Sequence, residues 1–470
     1  MDLLQIFKSI NKVLWGPPLM ILLGGFGVVS SIYLGFPQFS KFGIGWKHSF
    51  GKIFSKKKEP GEEEGDGSLS SFQSLATAIA AQVGTGNIAG VATAILSGGP
   101  GAILWMWIMA ILGMSTISVE ASLAQKYRIR RDGELVGGPA YYLSAGLKEH
   151  GKEGLGKFLA GFFAITIIIA LGFVGNMVQS NSMASVMGSA FGIPQIAIGI
   201  VIAIAAALIF IGGVERIGKF AELVVPFMAL LYVIGSIAVL VKFNDQILPV
   251  LKAIFTSSFS TEAVLGGAVG FGLKEAIRYG IARGLFSNEA GMGSTPNAHA
   301  VANVNHPYEQ GTVAMVGVLI DTIVVCTATA MIILVSGAQN AGLKGAEVTQ
   351  YAFETAFPGI GGKFLAIALL FFAFTTVVGW YYFGEANTKY LFKSKTAIRV
   401  YQVIVLIFIV VGSTREVDIV WEMADLFNGI MVIPNIIGLF FLLKEAKLLL
   451  TDFDDQLKSG KPLYYDYKAR

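Results

Sequence analysis

The stretch that decides the fold is Ala80-Ala81-Gln82-Val83-Gly84-Thr85-Gly86-Asn87-Ile88-Ala89-Gly90. It lies within an apolar run from about residue 71 to 96, which is long enough to cross a bilayer. Gly84 and Gly86 weaken a helix because they lack a Cβ and lose more chain entropy on folding. The stretch is either a continuous helix with packing glycines or an interrupted helix that binds solute and ion at mid-membrane. A second glycine-rich segment at residues 266–272 favours the interrupted helix.

The composition indicates a multi-pass protein of the cell membrane. Of 470 residues, 54% are apolar and 14% are charged, and the mean hydropathy is +0.66. The single cysteine, Cys326, and four scattered histidines offer neither a disulfide framework nor a metal-spaced cluster. No nucleophile–base set or paired acids at hydrolase spacing are present, so we expect no enzyme. The net charge of +4 gives no reason to expect a nucleic-acid partner.

Eleven apolar runs have spanning length, and the charged residues between them indicate the orientation. With alternate loops assigned to the cytoplasm, 27 lysines and arginines lie on the cytoplasmic side, including Arg278 and Arg283, and seven lie outside, including Lys8 and Lys12. This bias predicts an external N-terminus and a cytoplasmic C-terminus. The runs cover residues 14–36, 71–96, 101–125, 158–186, 194–213, 219–241, 262–285, 311–336, 363–388, 397–412 and 419–443.

An interrupted helix exposes main-chain groups of two kinds. The first half ends with free carbonyls near residues 80–83, which suit a bare alkali cation. The second half begins with free amides near residues 84–86, which suit a substrate carboxylate. Neutral oxygen ligands also avoid the cost of a permanently buried acid.

Polar residues in other spans are candidates to complete such a site. Asn87 places a side-chain oxygen one turn beyond the interruption, and Thr375 and Thr376 lie in an otherwise apolar ninth span. A membrane threonine either bonds back to its own helix carbonyls or reaches a ligand. Asp321 in the eighth span is an intramembrane carboxylate, which indicates either a functional site or a structural pair with Lys274.

Two long motifs carry a family resemblance. Gly98-Gly99-Pro100-Gly101-Ala102-Ile103-Leu104-Trp105-Met106-Trp107-Ile108-Met109-Ala110-Ile111-Leu112-Gly113 resembles the signature of the alanine or glycine:cation symporter family, although Leu104 replaces the usual Phe. Ser287-Asn288-Glu289-Ala290-Gly291-Met292-Gly293-Ser294-Thr295-Pro296-Asn297-Ala298 resembles that family's loop after its second broken helix. The resemblance extends from about residue 70 to 440. In addition, Gly84-Thr85-Gly86-Asn87 is similar to the Gly-Leu-Gly-Asn of neurotransmitter:sodium symporters.

The resemblance implies an all-α membrane fold of the LeuT type, within the amino acid–polyamine–organocation superfamily. Spans 2–6 and 7–11 would form two five-helix repeats of inverted topology, with span 1 as an addition. The implied divisions are an N-terminal helix at 1–40, a cytoplasmic linker at 41–70, repeats at 71–243 and 244–443, and a cytoplasmic tail at 444–470. The orientation agrees, because span 2 then enters from the cytoplasm and span 7 from outside.

The same resemblance implies the site residues. The amides of Thr85 and Gly86 would hold the substrate carboxylate, and carbonyls around the second break would hold its ammonium group. Gln82 departs from the small residue usual in the symporters, so its side chain would add a substrate contact. The full substrate set is Gln82, Gly84, Thr85, Gly86, Phe173, Asn176, Gly270, Phe271, Gly272 and Trp380. One sodium would use Ala80, Val83, Thr375 and Thr376, and a second sodium would use Gln82, Asn87 and Asp321.

The resemblance implies a sodium-coupled symporter that imports alanine or glycine by alternating access, with Na⁺ as the coupling ion. The expected partners are the small amino acid and membrane lipid, with no obligate protein partner. Two alternatives stay open. A proton-coupled transporter would use Asp321, and an ion channel would show turnover without saturation.

Overall fold

The protein is built almost wholly from helices. The computed structural model describes residues 3–51, 68–131, 133–259, 272–460 and 462–467. One short antiparallel strand pair brings Ile129 opposite Val136. The elements in chain order are α1 (Leu3–Leu14), α2 (Pro17–Leu34), α3 (Pro37–Ser40), α4 (Phe42–Phe50), α5 (Ser71–Gln82), α6 (Gly86–Gly98), α7 (Ala102–Lys126), β1 (Ile129–Arg131), β2 (Glu134–Val136), α8 (Pro139–Glu149), α9 (Glu153–Phe191), α10 (Gln195–Phe210), α11 (Gly213–Lys242), α12 (Ile247–Ser257), α13 (Leu273–Asn288), α14 (Pro296–His299), α15 (Pro307–Ser336), α16 (Ala346–Ala356), α17 (Gly361–Phe392), α18 (Lys395–Ser413) and α19 (Val417–Ser459).

Eight of the described helices are long and apolar enough to cross a membrane: α2, α7, α9, α11, α15, α17, α18 and α19. The pair α5 and α6 passes the same test as one span that bends by 49°. This bend confirms the interruption predicted at Gly84. Each of the eleven predicted apolar runs overlaps a described helix, and two of those helices, α10 and α13, have only 16 residues each.

The start of α5 is held by its own sequence and by a distant segment. The amide of Gln73 donates to Oγ of Ser70 at 3.1 Å, and the Ser70 amide donates to Oε1 of Gln73 at 3.1 Å. This reciprocal capping satisfies two amides that the first helical turn leaves unpaired. The preceding Leu69 pairs through its main chain with residues 301 and 303, beyond α14. The first half of the interrupted helix is therefore tied to the chain that follows the Ser287–Ala298 motif.

Three helical segments have the wider π-type turn: Gly86–Gly90, Ile168–Gly175 and Leu319–Cys326. A π-turn inserts an extra residue into the helix, so it breaks the regular hydrogen-bond ladder and often marks a functional site. The three π-type segments lie in α6, α9 and α15, respectively. Asp321 lies in the third of these segments, and Phe173 lies in the second.

The structure corrects one part of the charge count. A cavity of about 290 Å³ is lined together by Lys8, Lys12, Arg278 and Arg283, and the Arg283 guanidinium pairs with Asp425 at 2.7 Å. The sequence analysis assigned the two lysines to the outside and the two arginines to the cytoplasm. The shared cavity places all four side chains on the same side, so this part of the assignment does not hold for both pairs. With either pair reassigned to the other side, the cytoplasmic side still holds more lysine and arginine than the outside.

Candidate functional site

The interruption between α5 and α6 is stabilised by side chains from elsewhere in the bundle. The last main-chain bond of α5 joins the Val83 amide to the Ile79 carbonyl at 2.7 Å. The next two amides turn away from the helix: Gly84 donates to Oδ1 of Asn87 at 2.8 Å, and Thr85 donates to Oε1 of Gln179 at 3.2 Å. The carbonyl of Ala80 is thereby released from its usual partner, the amide four residues on.

Thr376 on α17 reaches this released carbonyl and the carbonyl of Val83. Its buried Oγ1 lies 3.0 Å from the Ala80 carbonyl, 3.4 Å from the Val83 carbonyl and 3.0 Å from the Phe372 carbonyl of its own helix. One hydroxyl proton serves only one of these oxygens at a time, so the cluster has more acceptors than donors. A Cβ at Gly84 would lie 2.3 Å from the same Oγ1, so glycine is needed for this approach. The neutral oxygen set suits a hard cation such as Na⁺.

The neighbouring Thr375 points elsewhere. Its hydroxyl donates to the Phe372 carbonyl at 2.8 Å, and its oxygen lies 3.5 Å from the sulfur of Met228. The structure therefore brings Ala80, Val83 and Thr376 together, and it directs the hydroxyl of Thr375 toward its own helix.

Asn87 and Asp321 form the second polar cluster. Nδ2 of Asn87 lies 2.6 Å from Oδ1 of Asp321 and 3.0 Å from Oγ of Ser287. The other carboxylate oxygen accepts from the hydroxyls of Ser287 and Thr322, each at 2.7 Å. These contacts of Asp321 are to neutral groups. The proposed partner Lys274 lies in the first turn of α13, whereas Ser287 lies at its last turn.

Gln82 joins the first interruption to the end of α13. Its Nε2 donates to the Asn288 carbonyl at 2.6 Å. Within the described residues, its buried Oε1 has no hydrogen-bond partner, and the same holds for Oγ1 of Thr85 and Oδ1 of Asn176. Buried polar atoms are normally satisfied, so acceptors without a donor beside an interrupted helix indicate ligand contacts.

A second irregular stretch, residues 289–295, connects α13 to α14. Glu289, Gly291 and Gly293 have positive φ angles of 57°, 90° and 79°. The Glu289 carboxylate accepts from Nε1 of Trp380 at 2.6 Å and from Oγ of Ser294 at 2.5 Å. The stretch is buried and follows directly on the α13 residues that contact Gln82 and Asn87. It is therefore a second interrupted segment among the described residues, and we call it the second interruption.

Sequence reasoning missed this interruption, although its signal was in the quoted motif. The alternation Glu-Ala-Gly-Met-Gly marks a backbone that needs left-handed residues. The sequence analysis places its second break around Gly270, Phe271 and Gly272, and this stays a prediction. Gly270 and Phe271 lie outside the described residues. Gly272 directly precedes α13 and lies about 24 Å from the helix's buried end at 1.5 Å per residue.

The aromatic and amide candidates on α9 and α17 point in different directions. The Trp380 ring is buried against the second interruption, and a Cβ at Gly175 would lie 2.6 Å from that ring. Asn176 donates from Nδ2 to the Gly172 carbonyl at 2.9 Å, one turn away. The Phe173 ring packs on Phe408 of α18 at 5.1 Å between ring centres. The structure places Trp380 at the interruptions and Phe173 on the opposite face of α9.

A neighbouring network holds the second interruption from α7 and α19. The Gly291 amide donates to Oε2 of Glu120 at 2.8 Å, and Nδ2 of Asn435 donates to Oε1 of Glu120 at 2.6 Å. The described residues contain no group of three His, Cys, Asp or Glu side chains that suits a metal ion. The geometry instead offers main-chain oxygens, hydroxyls, amides and the carboxylates of Asp321, Glu289 and Glu120 around two interrupted segments.

Comparison with known proteins identifies close relatives. A family model described as the sodium:alanine symporter family matches residues 1–466. The sodium/alanine symporter AgcS of Methanococcus maripaludis is 42% identical over 94% of this chain and 95% of that protein. The amino-acid carrier protein AlsT of Bacillus subtilis is 39% identical over 94% of this chain and 90% of that protein.

Two solved structures share the fold at low sequence identity. MhsT in complex with L-phenylalanine aligns with a TM-score of 0.55 and 14% identity, covering 84% of this chain and 99% of that chain. A manganese transporter of Eremococcus coleocola aligns with a TM-score of 0.52 and 13% identity, covering 87% of this chain and 84% of that chain. The architecture is therefore that of the LeuT-type transporters.

Proposed function

The chain belongs to the sodium:alanine symporter family, as its motifs predicted, and from that premise we propose that it imports small neutral amino acids together with sodium. It is a multi-pass membrane transporter and not an enzyme, because the family consists of symporters. The observation that carries the proposal is the oxygen cluster formed by Thr376 with the carbonyls of Ala80 and Val83. This cluster joins α17 to the interrupted helix, so a cation bound there would hold the two elements together.

For this sodium we propose Ala80, Val83 and Thr376 as the direct ligands; the resemblance also implies Thr375, whose side chain is directed toward its own helix in this structure. The three carbonyl oxygens around the Thr376 hydroxyl share a single proton, and a cation would supply the missing positive partner. For Thr375 to contribute, its hydroxyl would have to leave the Phe372 carbonyl, which it contacts at 2.8 Å.

For a second sodium we propose the Gln82 carbonyl, Asn87 and Asp321. The buried Asp321 carboxylate accepts three neutral donors, and its described contacts include no cationic side chain. A sodium ion would neutralise this carboxylate in a region where an uncompensated charge is expensive.

The substrate would lie beside the same interruption. We place its carboxylate at the amides of Thr85 and Gly86, where Oε1 of Gln179 now accepts from the Thr85 amide at 3.2 Å. We infer that this side-chain oxygen occupies the position that a substrate carboxylate oxygen would take. The unpartnered Oε1 of Gln82 and Oδ1 of Asn176 are acceptors for an ammonium group, and Trp380 limits the space for the side chain. We therefore expect a small side chain such as that of alanine or glycine.

We propose an eleven-span topology with the N-terminus outside and the C-terminus in the cytoplasm. The eight long helices, the bent α5–α6 pair, α10 and α13 make up the eleven. Spans 2–6 and 7–11 would be the inverted repeats, with boundaries at residues 71–243 and 244–443. In support, each of these ranges contains an interrupted segment, and the two interruptions meet through Gln82 and Asn288.

Alternating access follows from this arrangement. Cation and substrate bind between two half-helices, so their binding favours the arrangement in which both halves close around them. The test is uptake of labelled alanine into proteoliposomes under an inward sodium gradient, compared with choline and with an inward proton gradient. Accumulation with sodium alone supports the proposal. Accumulation with protons alone would transfer the coupling to Asp321, and uptake that does not saturate would favour a channel.

A further inference from the structure

A large apolar groove opens on the membrane-facing side between α9 and α18. It encloses about 610 Å³ and its walls are almost entirely hydrocarbon, with Ile165, Phe392 and Val400 at its mouth. These three side chains are 52%, 61% and 53% exposed. In a membrane protein, exposed apolar side chains of this kind face lipid, so the α9–α18 groove opens into the hydrocarbon layer.

The floor of the groove is connected to the candidate site. Tyr401 and Phe173 line it, with ring centres 5.7 Å apart. The Tyr401 ring lies so close to α9 that a Cβ at Gly172 would come within 2.6 Å of its hydroxyl oxygen. Gly172 and Phe173 belong to the π-type segment Ile168–Gly175, whose last residue packs against Trp380.

One end of the groove carries positive charge. Lys393 and Lys395 alternate with the groove-lining residues Phe392, Ser394 and Thr396. Both lysines are exposed, and Arg399 follows one turn later on α18. Within the described part of the chain no ion pair joins any of these three cations. In the proposed topology this end lies at the cytoplasmic surface, where membranes carry their anionic lipids.

We propose that the α9–α18 groove binds an anionic glycerophospholipid, with one acyl chain in the groove and its phosphate group between Lys393, Lys395 and Arg399. The groove supplies the apolar volume and the rim supplies the complementary charge. A bound chain would pack directly on Phe173 and Tyr401, and so on the π-type segment behind the candidate site. The proposal depends on the membrane location of the chain and on its orientation, and not on which solute is transported.

The test counts lipids that stay bound. The full-length protein is reconstituted in nanodiscs of phosphatidylcholine with a minor fraction of phosphatidylglycerol, and native mass spectrometry then measures the lipid retained on the released protein. Two variants address the two halves of the site: Ala397→Trp fills the groove, and Lys393→Gln/Lys395→Gln removes two rim charges. Matched controls are Leu230→Trp on the exposed face of α11 and Lys444→Gln/Lys447→Gln on α19.

We expect wild-type protein and both controls to retain phosphatidylglycerol in preference to phosphatidylcholine. Ala397→Trp should lose the retained lipid, and the rim variant should bind it about 25-fold more weakly, from a factor of about five per lysine. Equal retention by the rim variant and wild type would refute the proposal, whether or not Ala397→Trp folds. Equal retention of the two lipids by wild type would refute it as well.

Discussion

Replacement of Thr376 by valine is the sharpest test of the sodium site. Valine keeps the shape of threonine and removes only the hydroxyl, so the packing of α17 against α5 should be preserved. The lost hydroxyl lies 3.0 Å from the Ala80 carbonyl and 3.4 Å from the Val83 carbonyl. The side chain is fully buried, so water is not expected to replace the missing oxygen.

The magnitude follows from the loss of one polar contact to a charged group. Such a contact contributes about 1.5–3 kcal/mol in a buried setting. The sodium concentration for half-maximal alanine uptake should therefore rise by about 10- to 150-fold. The assay is a sodium titration of labelled alanine uptake in proteoliposomes, with thermal unfolding of each variant to verify that it is folded.

Two matched variants make the result interpretable. Thr376→Ser retains the hydroxyl and should stay close to wild type. Thr375→Val should change the sodium requirement by no more than about twofold, because that hydroxyl donates to the Phe372 carbonyl of its own helix. A folded Thr376→Val protein with the wild-type sodium requirement would refute the assignment. Equal losses in both valine variants would show instead that both threonines bind the ion.

Three further perturbations test other contacts. Gly84→Ala places a Cβ 2.3 Å from the hydroxyl oxygen of Thr376, so alanine uptake should fall at least tenfold, or about 1.4 kcal/mol. The control is Gly90→Ala, which should retain uptake because its Cβ would lie 4.0 Å from the nearest neighbouring atom. Asp321→Asn should lower the Hill coefficient for sodium in the same titration, and an unchanged coefficient and midpoint would exclude Asp321 from the second ion site. Asp425→Asn leaves the buried Arg283 guanidinium without its carboxylate and should destabilise the fold by about 3 kcal/mol. Thermal unfolding measures this loss, which the double variant Asp425→Asn/Arg283→Gln should partly reverse; a double variant no more stable than the single one would contradict the reasoning.

Several features could be predicted from the sequence because their causes are local. Apolar runs of spanning length and the excess of lysine and arginine on alternate loops are properties of consecutive residues. The interruption at Gly84 follows from two glycines within an apolar run, and the bend of 49° confirms it. The family was also predictable, because the motifs that indicate it are long and continuous.

Other features depend on how distant segments meet. The sequence pattern does not distinguish Thr375 from Thr376. Only the rotation of α17 against α5 decides which hydroxyl reaches the carbonyls of α5, almost 300 positions away in the chain. Phe173 turns toward α18 for the same reason. Arg283 and Lys8 were predicted on opposite sides because their runs are far apart in sequence, and only the folded chain shows that they share a cavity.

The sequence by itself determined that the chain lies in a membrane, where its helices run and where the first of them is interrupted. Those properties follow from hydropathy and glycine content over a few turns of chain. Only the tertiary structure decided that the buried stretch 289–295 is interrupted and that it meets the first interruption through Gln82 and Asn87. It also decided that three carbonyl oxygens converge on one hydroxyl. Helix rotation and register set those contacts, and packing between segments far apart in the chain sets the rotation and register.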